Sequence, residues 1–316
     1  MRIIVHNDKP NELVQQLLKF DPSLEVEPCD TYQALPDLIL KFRPDAVFTI
    51  RFAGTPNFPG AALTGEKGPK WIHIGGSGSD HLGQWDASHT IVTNSAGVAA
   101  SAMAEYTLSA LLHFSMDVPG LIEDKRQKNW AARMISPLKG KTLVIVGLGN
   151  TGQAVAKLAK AFGIYVIGTR RKSIETPNVD ETFPDTALLD ILPKADFVVV
   201  SVPLNDKTKG LISSKAFSVL KKGSLLVDLS RGGVVSEKAL LKALENGTLK
   251  GAALDVFEVE PLPTENPLWD DENVLISPHC SSVFEGWEAA SMAMFIENLK
   301  RYQAGQEMNN VVSAPL

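Results

Sequence analysis

Cysteine is scarce in this chain: Cys29 and Cys280 are the only two among 316 residues. They are too few for a disulfide scaffold and lack the spacing of metal ligands, so the sequence fits a reducing compartment with no metal site. Positive charge is also in short supply. Lys and Arg total 31 against 36 Asp and Glu, a net charge of -5, and no extended basic tract offers the face that a nucleic acid needs. No apolar run approaches the roughly 20 residues that span a bilayer. Met1-Arg2-Ile3-Ile4-Val5-His6 lacks the apolar h-region and small-residue cleavage site of a secretory signal and reads as a first strand. These absences predict a cytoplasmic protein whose partner is a small molecule, with no nucleic acid and no membrane. Repeats and low-complexity segments are lacking too.

What is present is α/β alternation over a length that exceeds one core, so two domains are expected. Strand-like runs at Ile3-Val5, Leu24-Val26, Ala46-Ile50, Trp71-Ile74 and Ile91-Thr93 alternate with helical stretches Asn11-Phe20 and Tyr32-Phe42, the pattern of a parallel sheet with crossover helices. An Ala-rich helix over Val98-Phe114 follows. Leu143-Val146, Tyr165-Ile167, Phe197-Val200, Leu225-Asp228 and Ala252-Asp255 then supply a second set of strands. The last amphipathic stretch, Phe284-Tyr302, comes after the second sheet and is expected to return to the first domain. Ser115-Leu138, with Trp130, shows no strong periodicity and reads equally as a dimer arm or a solvated connection.

The run Lys141-Thr142-Leu143-Val144-Ile145-Val146-Gly147-Leu148-Gly149-Asn150-Thr151-Gly152 places Gly-x-Gly-x-x-Gly directly after a buried-type strand. Gly147 permits the tight turn, Gly149 lets backbone approach a pyrophosphate, and Gly152 lets the following helix pack on the strand. Asn150 and Thr151 open that helix, whose N-terminus would receive the pyrophosphate. An NAD site would carry Asp or Glu about 20 residues on, to bind the ribose 2′-hydroxyl. This chain instead reads Gly168-Thr169-Arg170-Arg171-Lys172. With no carboxylate there to repel a 2′-phosphate, Arg170 is the expected guanidinium clamp, Thr169 a hydroxyl donor and Arg171 a support. The cofactor expected is NADP, with NAD possible.

Three residues after strand-like runs suit acid-base chemistry: Arg231 in Leu229-Ser230-Arg231-Gly232-Gly233, Glu260 in Asp255-Val256-Phe257-Glu258-Val259-Glu260-Pro261, and His279 in Ile276-Ser277-Pro278-His279. In a doubly wound sheet the ends of strands form the ligand-facing edge. Arg51, in the loop after Ala46-Ile50, reads equally as a contact for a substrate's second carboxylate or phosphate and as a solvated arginine.

The run Asp255 to Pro263, then Asn266-Pro267-Leu268-Trp269 and Ser277-Pro278-His279, together with Val202-Pro203-Leu204 and Ser230-Arg231-Gly232, resembles the D-isomer-specific 2-hydroxyacid dehydrogenase family. The resemblance implies two doubly wound parallel-sheet domains, a Rossmann nucleotide domain (98–282) inserted in a flavodoxin-like substrate domain (1–97 plus 283–316), and a homodimer. It further implies that His279 is the acid/base, that Glu260 pairs with it, and that Arg231 binds the substrate's carboxylate and carbonyl. Ser77 and Gly78 match the turn whose amides receive the substrate carboxylate. Asp255 matches a position facing the nicotinamide amide, and Val202 and Pro203 match the strand end beneath the cofactor. The activity implied is reduction of small 2-oxo acids of the glyoxylate and hydroxypyruvate kind. The alternatives are reduction of bulkier 2-keto acids and a nucleotide-sensing binding protein without significant turnover.

Overall fold

The computed structural model describes every residue except 51–56, 173 and 316. By its internal packing the chain divides into two compact units, Met1–Val98 with Phe284–Leu316, and Ala99–Val283. In chain order the first unit opens with β1 (Arg2–His6), α1 (Pro10–Phe20), β2 (Glu25–Cys29), α2 (Leu35–Phe42), β3 (Ala46–Thr49), α3 (Gly60–Thr64), β4 (Trp71–Ile74) and β5 (Ile91–Asn94). The second unit contributes α4 (Ala100–Ser115), α5 (Val118–Gln127), β6 (Thr142–Val146), α6 (Asn150–Ala161), β7 (Tyr165–Arg170), β8 (Glu181–Pro184) and α7 (Leu188–Ile191). It continues with β9 (Phe197–Val200), α8 (Ser214–Ser218), β10 (Ser224–Asp228), α9 (Glu237–Glu245), β11 (Leu249–Leu254) and β12 (Val274–Ile276). The chain then returns to the first unit as α10 (Trp287–Gln303).

In the first unit five parallel strands run in the order β2-β1-β3-β4-β5, the flavodoxin-like arrangement. Strands covered on both faces need apolar side chains in both directions, which is why β3 and β4 read Ala-Val-Phe-Thr and Trp-Ile-His-Ile and are buried throughout. One face packs Ile3, Val5, Phe48 and Trp71 against Leu17 of α1 and Phe295 and Leu299 of α10. The other packs Ile4, Val47 and Ile72 against Leu35 and Ile39 of α2 and Leu63 of α3. The return helix is therefore an integral layer, anchored where Phe295 stacks on Trp71 with ring centroids 4.6 Å apart. His73 is paired inside this core: its Nδ1 meets Thr93 Oγ1 at 2.8 Å and its Nε2 meets Ser95 Oγ at 3.0 Å.

The second unit holds seven parallel strands in the order β12-β11-β10-β9-β6-β7-β8. The direction of winding reverses between β6 and β9, the switch point of a Rossmann sheet where a crevice opens at the strands' carboxyl ends. Alternate residues of β6 serve opposite layers. Leu143 and Ile145 join α4 and α6 through Leu108, Leu111, Val155 and Ala159, while Val144 and Val146 join the α7–α9 side through Leu188, Phe217 and Leu240.

One edge strand and one helix lie where the sequence shows no clear pattern, and a second edge strand is very short. β8 pairs only with β7 and reads Glu-Thr-Phe-Pro, since an edge strand half open to water does not need an apolar run. β12 is three residues long and pairs only with β11. Helix α5 buries Asp124 while Leu121 and Ile122 are exposed, the reverse of a core-facing pattern. Among the described residues no helix is long and apolar enough to cross a membrane.

Candidate active site

The β6–α6 turn is shaped for close approach. Gly147 adopts a φ of +103°, and a Cβ on Gly152 would lie 2.1 Å from the Gly147 carbonyl oxygen, so neither position accepts an ordinary side chain. Gly149 forms the N-cap of α6 and brings no side chain to its first N–H groups. A Cβ added there would meet nothing within 4 Å. An uncapped, accessible helix N-terminus beside open space, with Asn150 exposed and Thr151 half-buried on its first turn, fits the pyrophosphate of a dinucleotide. The β9 end closes on the same turn: Ser201 Oγ donates to the Gly147 carbonyl at 2.9 Å, and Val202 packs against Gly147. Pro203 follows, exposed.

At the end of β7 Thr169 is 2 % exposed and its carbonyl accepts from Leu148 N–H at 2.9 Å. Arg170 is half-buried, with Nη1 donating to Thr176 Oγ1 at 3.2 Å, and Arg171 and Lys172 are exposed.

The ends of the neighbouring strands β10, β11 and β12 carry Arg231, Glu260 and His279. After β10, Asp228 accepts from Ser230 N–H at 3.0 Å and from Ser230 Oγ at 2.5 Å, an Asx-type turn that fixes the chain just before Arg231. Burial pushes the Asp228 carboxyl up to about 7 against the opposing hydrogen bonds from Ser230. Arg231 is half-buried, with Nη1 donating to the Ser230 carbonyl at 2.7 Å. The next residue has no room for a side chain, since a Cβ on Gly232 would sit 1.7 Å from the Phe257 carbonyl oxygen. Close approach at Gly232 thus sets the Arg231 turn against the loop that follows β11.

That loop presents Glu260, whose Oε1 accepts from Phe257 N–H at 3.1 Å. Oε2 lies 2.8 Å from His279 Nδ1, both side chains being about one-third exposed or less. A carboxylate only accepts, so Nδ1 carries the proton and Nε2 is the end left to exchange one. Asp255, 2 % exposed, bonds to the 277–281 turn itself. Sequence reasoning singled out neither Ser281 nor Tyr106, which complete that network, because a serine in a turn and a tyrosine in an Ala-rich helix carry no distinguishing pattern.

Among the described residues no group of three or more His, Cys, Asp or Glu side chains is arranged to hold a metal ion.

In the first unit Ser77 and Gly78 follow β4. Carbonyls of their turn face the protein: Gly75 O accepts from Ser291 Oγ at 2.8 Å, Gly76 O from Ser95 N–H at 3.0 Å and Ser77 O from Asn94 Nδ2 at 2.6 Å. Arg51 lies outside the described residues.

Residues 108–281, more than half of the chain, match the NAD-binding domain of the D-isomer-specific 2-hydroxyacid dehydrogenases. The chain belongs to that family. Over 231 residues it is 35% identical to the glyoxylate reductase of Korarchaeum cryptofilum, covering 70% of this chain and 69% of that one. It is 34% identical over 260 residues to the D-3-phosphoglycerate dehydrogenase of Methanocaldococcus jannaschii, covering 79% of this chain. The match spans about half, 49%, of that relative's length. A D-isomer-specific 2-hydroxyacid dehydrogenase of Xanthobacter autotrophicus Py2, solved in complex with NADPH and MES, superposes with a TM-score of 0.82 at 27% identity, covering 98% of each chain. Membership makes a nicotinamide dinucleotide the cofactor of this domain.

Proposed function

We propose that this chain reduces small 2-oxo acids, of the glyoxylate and hydroxypyruvate class, to D-2-hydroxy acids at the expense of NADPH, with His279 as the acid/base. The observation that carries the reading is the 2.8 Å contact between His279 Nδ1 and Glu260 Oε2 at the carboxyl edge of the dinucleotide-binding sheet. Bound at the β6–α6 turn, the dinucleotide supplies the hydride. The remaining work falls to side chains. His279 holds a proton at Nε2 and passes it to the carbonyl oxygen of the substrate, while Glu260 keeps Nδ1 protonated and favours the imidazolium before transfer. Arg231 grips the substrate carboxylate and favours negative charge growing on the carbonyl oxygen. Val202 and Pro203 would support the cofactor from the β9 end, and Asp255 would face its carboxamide.

NADPH is assigned over NADH because the end of β7 offers Arg170, Arg171 and Lys172 and no carboxylate. The NADPH complex of the Xanthobacter relative supports the same choice. In the first unit, the Ser77 and Gly78 amides are assigned the role of receiving a carboxylate, supported by the inward anchoring of the turn's carbonyls. The unit of residues 99–283 is accordingly the nucleotide domain and the other the substrate domain.

The same proposal makes the enzyme a cytoplasmic homodimer. The segment 118–135 supports the dimer, since Trp130 and Met134 are fully exposed, at 103% and 97%, with Leu121 and Ile122 about half exposed beside them. Apolar side chains standing clear of their own chain are what a second copy would cover.

The test is initial-rate oxidation of NADPH and NADH, followed in parallel against glyoxylate, hydroxypyruvate, pyruvate, phenylpyruvate and 2-oxoisocaproate. NADPH-dependent turnover of the smallest acids is expected. Turnover confined to the bulky acids would move the substrate class, and dinucleotide binding without any turnover would overturn the enzyme reading in favour of a nucleotide sensor.

A further inference from the structure

We infer that Ser281, acting with Asp255, is a positioning residue that fixes the orientation of His279. The inference rests on the reading of His279 as proton donor. Asp255 follows β11 and Ser277 follows β12, paired neighbours in register through Leu254 and Ile276. The Asp255 carboxylate is 2 % exposed, and a buried carboxylate persists only when donors surround it. Among the described residues its donors come from the His279 turn. Ser277 Oγ donates to Oδ1 at 2.6 Å, the N–H groups of Cys280 and Ser281 donate to the same oxygen at 2.9 and 3.0 Å, and Ser281 Oγ donates to Oδ2 at 2.5 Å.

The turn is thus tied to one carboxylate on both sides of the histidine. Drawing two consecutive N–H groups onto one oxygen curls the chain, and His279 immediately before them has a φ of +52°. A residue with a Cβ is held in that region only where its surroundings over-determine it. His279 N–H also donates across the turn to the Ser277 carbonyl at 2.9 Å. The imidazole carried by this turn meets Glu260 at 2.8 Å.

A further group braces the assembly from α4. Because Ser277 gives its only hydroxyl proton to Asp255, the 2.8 Å bond between Ser277 and Tyr106 must be donated by the phenol. Burial pushes Tyr106 up to about 12, so it stays protonated and remains a donor at neutral pH. The chain Tyr106 to Ser277 to Asp255 leaves Oδ1 saturated with three donors. Oδ2 accepts from Ser281 Oγ, so Ser281→Ala removes one brace of the turn and keeps the Asp255 carboxylate, which Asp255→Ala does not.

The experiment compares wild type, Ser281→Ala, Ser281→Thr, His279→Ala and the Ser281→Ala/His279→Ala double variant. Ser281→Ala is expected to lower kcat with glyoxylate about ten- to a hundredfold, the scale of a small misplacement of a reacting group. The KM for glyoxylate and the Kd for NADPH stay within about twofold, and Ser281→Thr recovers most of the loss. In the His279→Ala background, Ser281→Ala costs nothing further, because a residue that acts through another is silent without it. Wild-type kcat in Ser281→Ala overturns the inference, as does an undiminished second loss in the double variant, or weakened NADPH binding in place of lost kcat. If Ser281→Ala fails to fold, Tyr106→Phe is read by the same criteria, with a smaller loss expected. Wild-type protein inert toward every 2-oxo acid would contradict the proposed function alone. The inference is then read from ¹⁵N NMR of the His279 ring, with a single Nδ1–H tautomer expected in wild type and a mixture in Ser281→Ala; identical ring spectra would overturn it.

Discussion

Nδ1 of His279 lies 2.8 Å from Oε2 of Glu260, across the ends of two neighbouring strands and 19 residues apart in sequence. Glu260 is held in turn by the Phe257 N–H on its other oxygen. The pair has a defined polarity: Nδ1–H donates to the carboxylate, and Nε2 is the other ring nitrogen, to which the proposed function gives the proton transfer.

Replacing Glu260 with Gln keeps the shape and a carbonyl acceptor but removes the charge that favours imidazolium. A loss in kcat on the order of tenfold or more is expected, within the range for general acid catalysis, with NADPH affinity preserved. Steady-state kinetics with glyoxylate and a fluorescence titration of NADPH check both halves. Full activity in Glu260→Gln would deny the pair its role.

Arg170→Ala is expected to raise the KM for NADPH at least about tenfold, since a charge-assisted guanidinium–phosphate contact contributes roughly 1.5–3 kcal/mol, and to leave NADH kinetics nearly unchanged. Parallel titrations with the two dinucleotides measure the difference. Equal losses with both would show that Arg170 does not read the 2′-phosphate.

For the dimer, Trp130→Glu places a charge where a fully exposed indole stands. The mass measured by light scattering is expected to halve. An unchanged dimer would place the interface elsewhere, and a monomeric wild type would remove the dimer from the proposal.

Acid should weaken the fold. Burial lowers His6 to about 4 and His73 to about 3 from 6.5, so the unfolded chain binds protons at both that the native chain does not. The resulting stability is complete above about 6.5 and is lost progressively as pH falls toward 4 and 3. Asp228, raised from 3.8 to about 7, works in the opposite sense between those values, one group against two. The denaturation midpoint is therefore expected to fall between pH 6.5 and pH 4, and His73→Gln, which cannot titrate, to flatten that slope. A slope unchanged in His73→Gln would contradict the assignment.

The sheets were legible in the sequence because parallel strands buried on both faces must be continuously apolar, as in Thr-Leu-Val-Ile-Val of β6 and Phe-Val-Val-Val of β9. β8 was not, since an edge strand meets one neighbour and tolerates Glu, Thr and Pro. α5 escaped for the opposite reason: its apolar residues face outward, so it lacks a core-facing stripe. At the site, Arg231, Glu260 and His279 each stood out by following a strand. The Ser281–Asp255 bond did not, because it depends on how a five-residue turn closes on a carboxylate in the adjacent strand's loop.

The most direct measurement is the rate of NADPH oxidation with glyoxylate by wild type and His279→Ala side by side, with NADPH binding measured on both. The account requires turnover in the wild type, a loss of at least roughly a hundredfold in His279→Ala, and the same NADPH affinity in each. Turnover in His279→Ala close to that of wild type would contradict it.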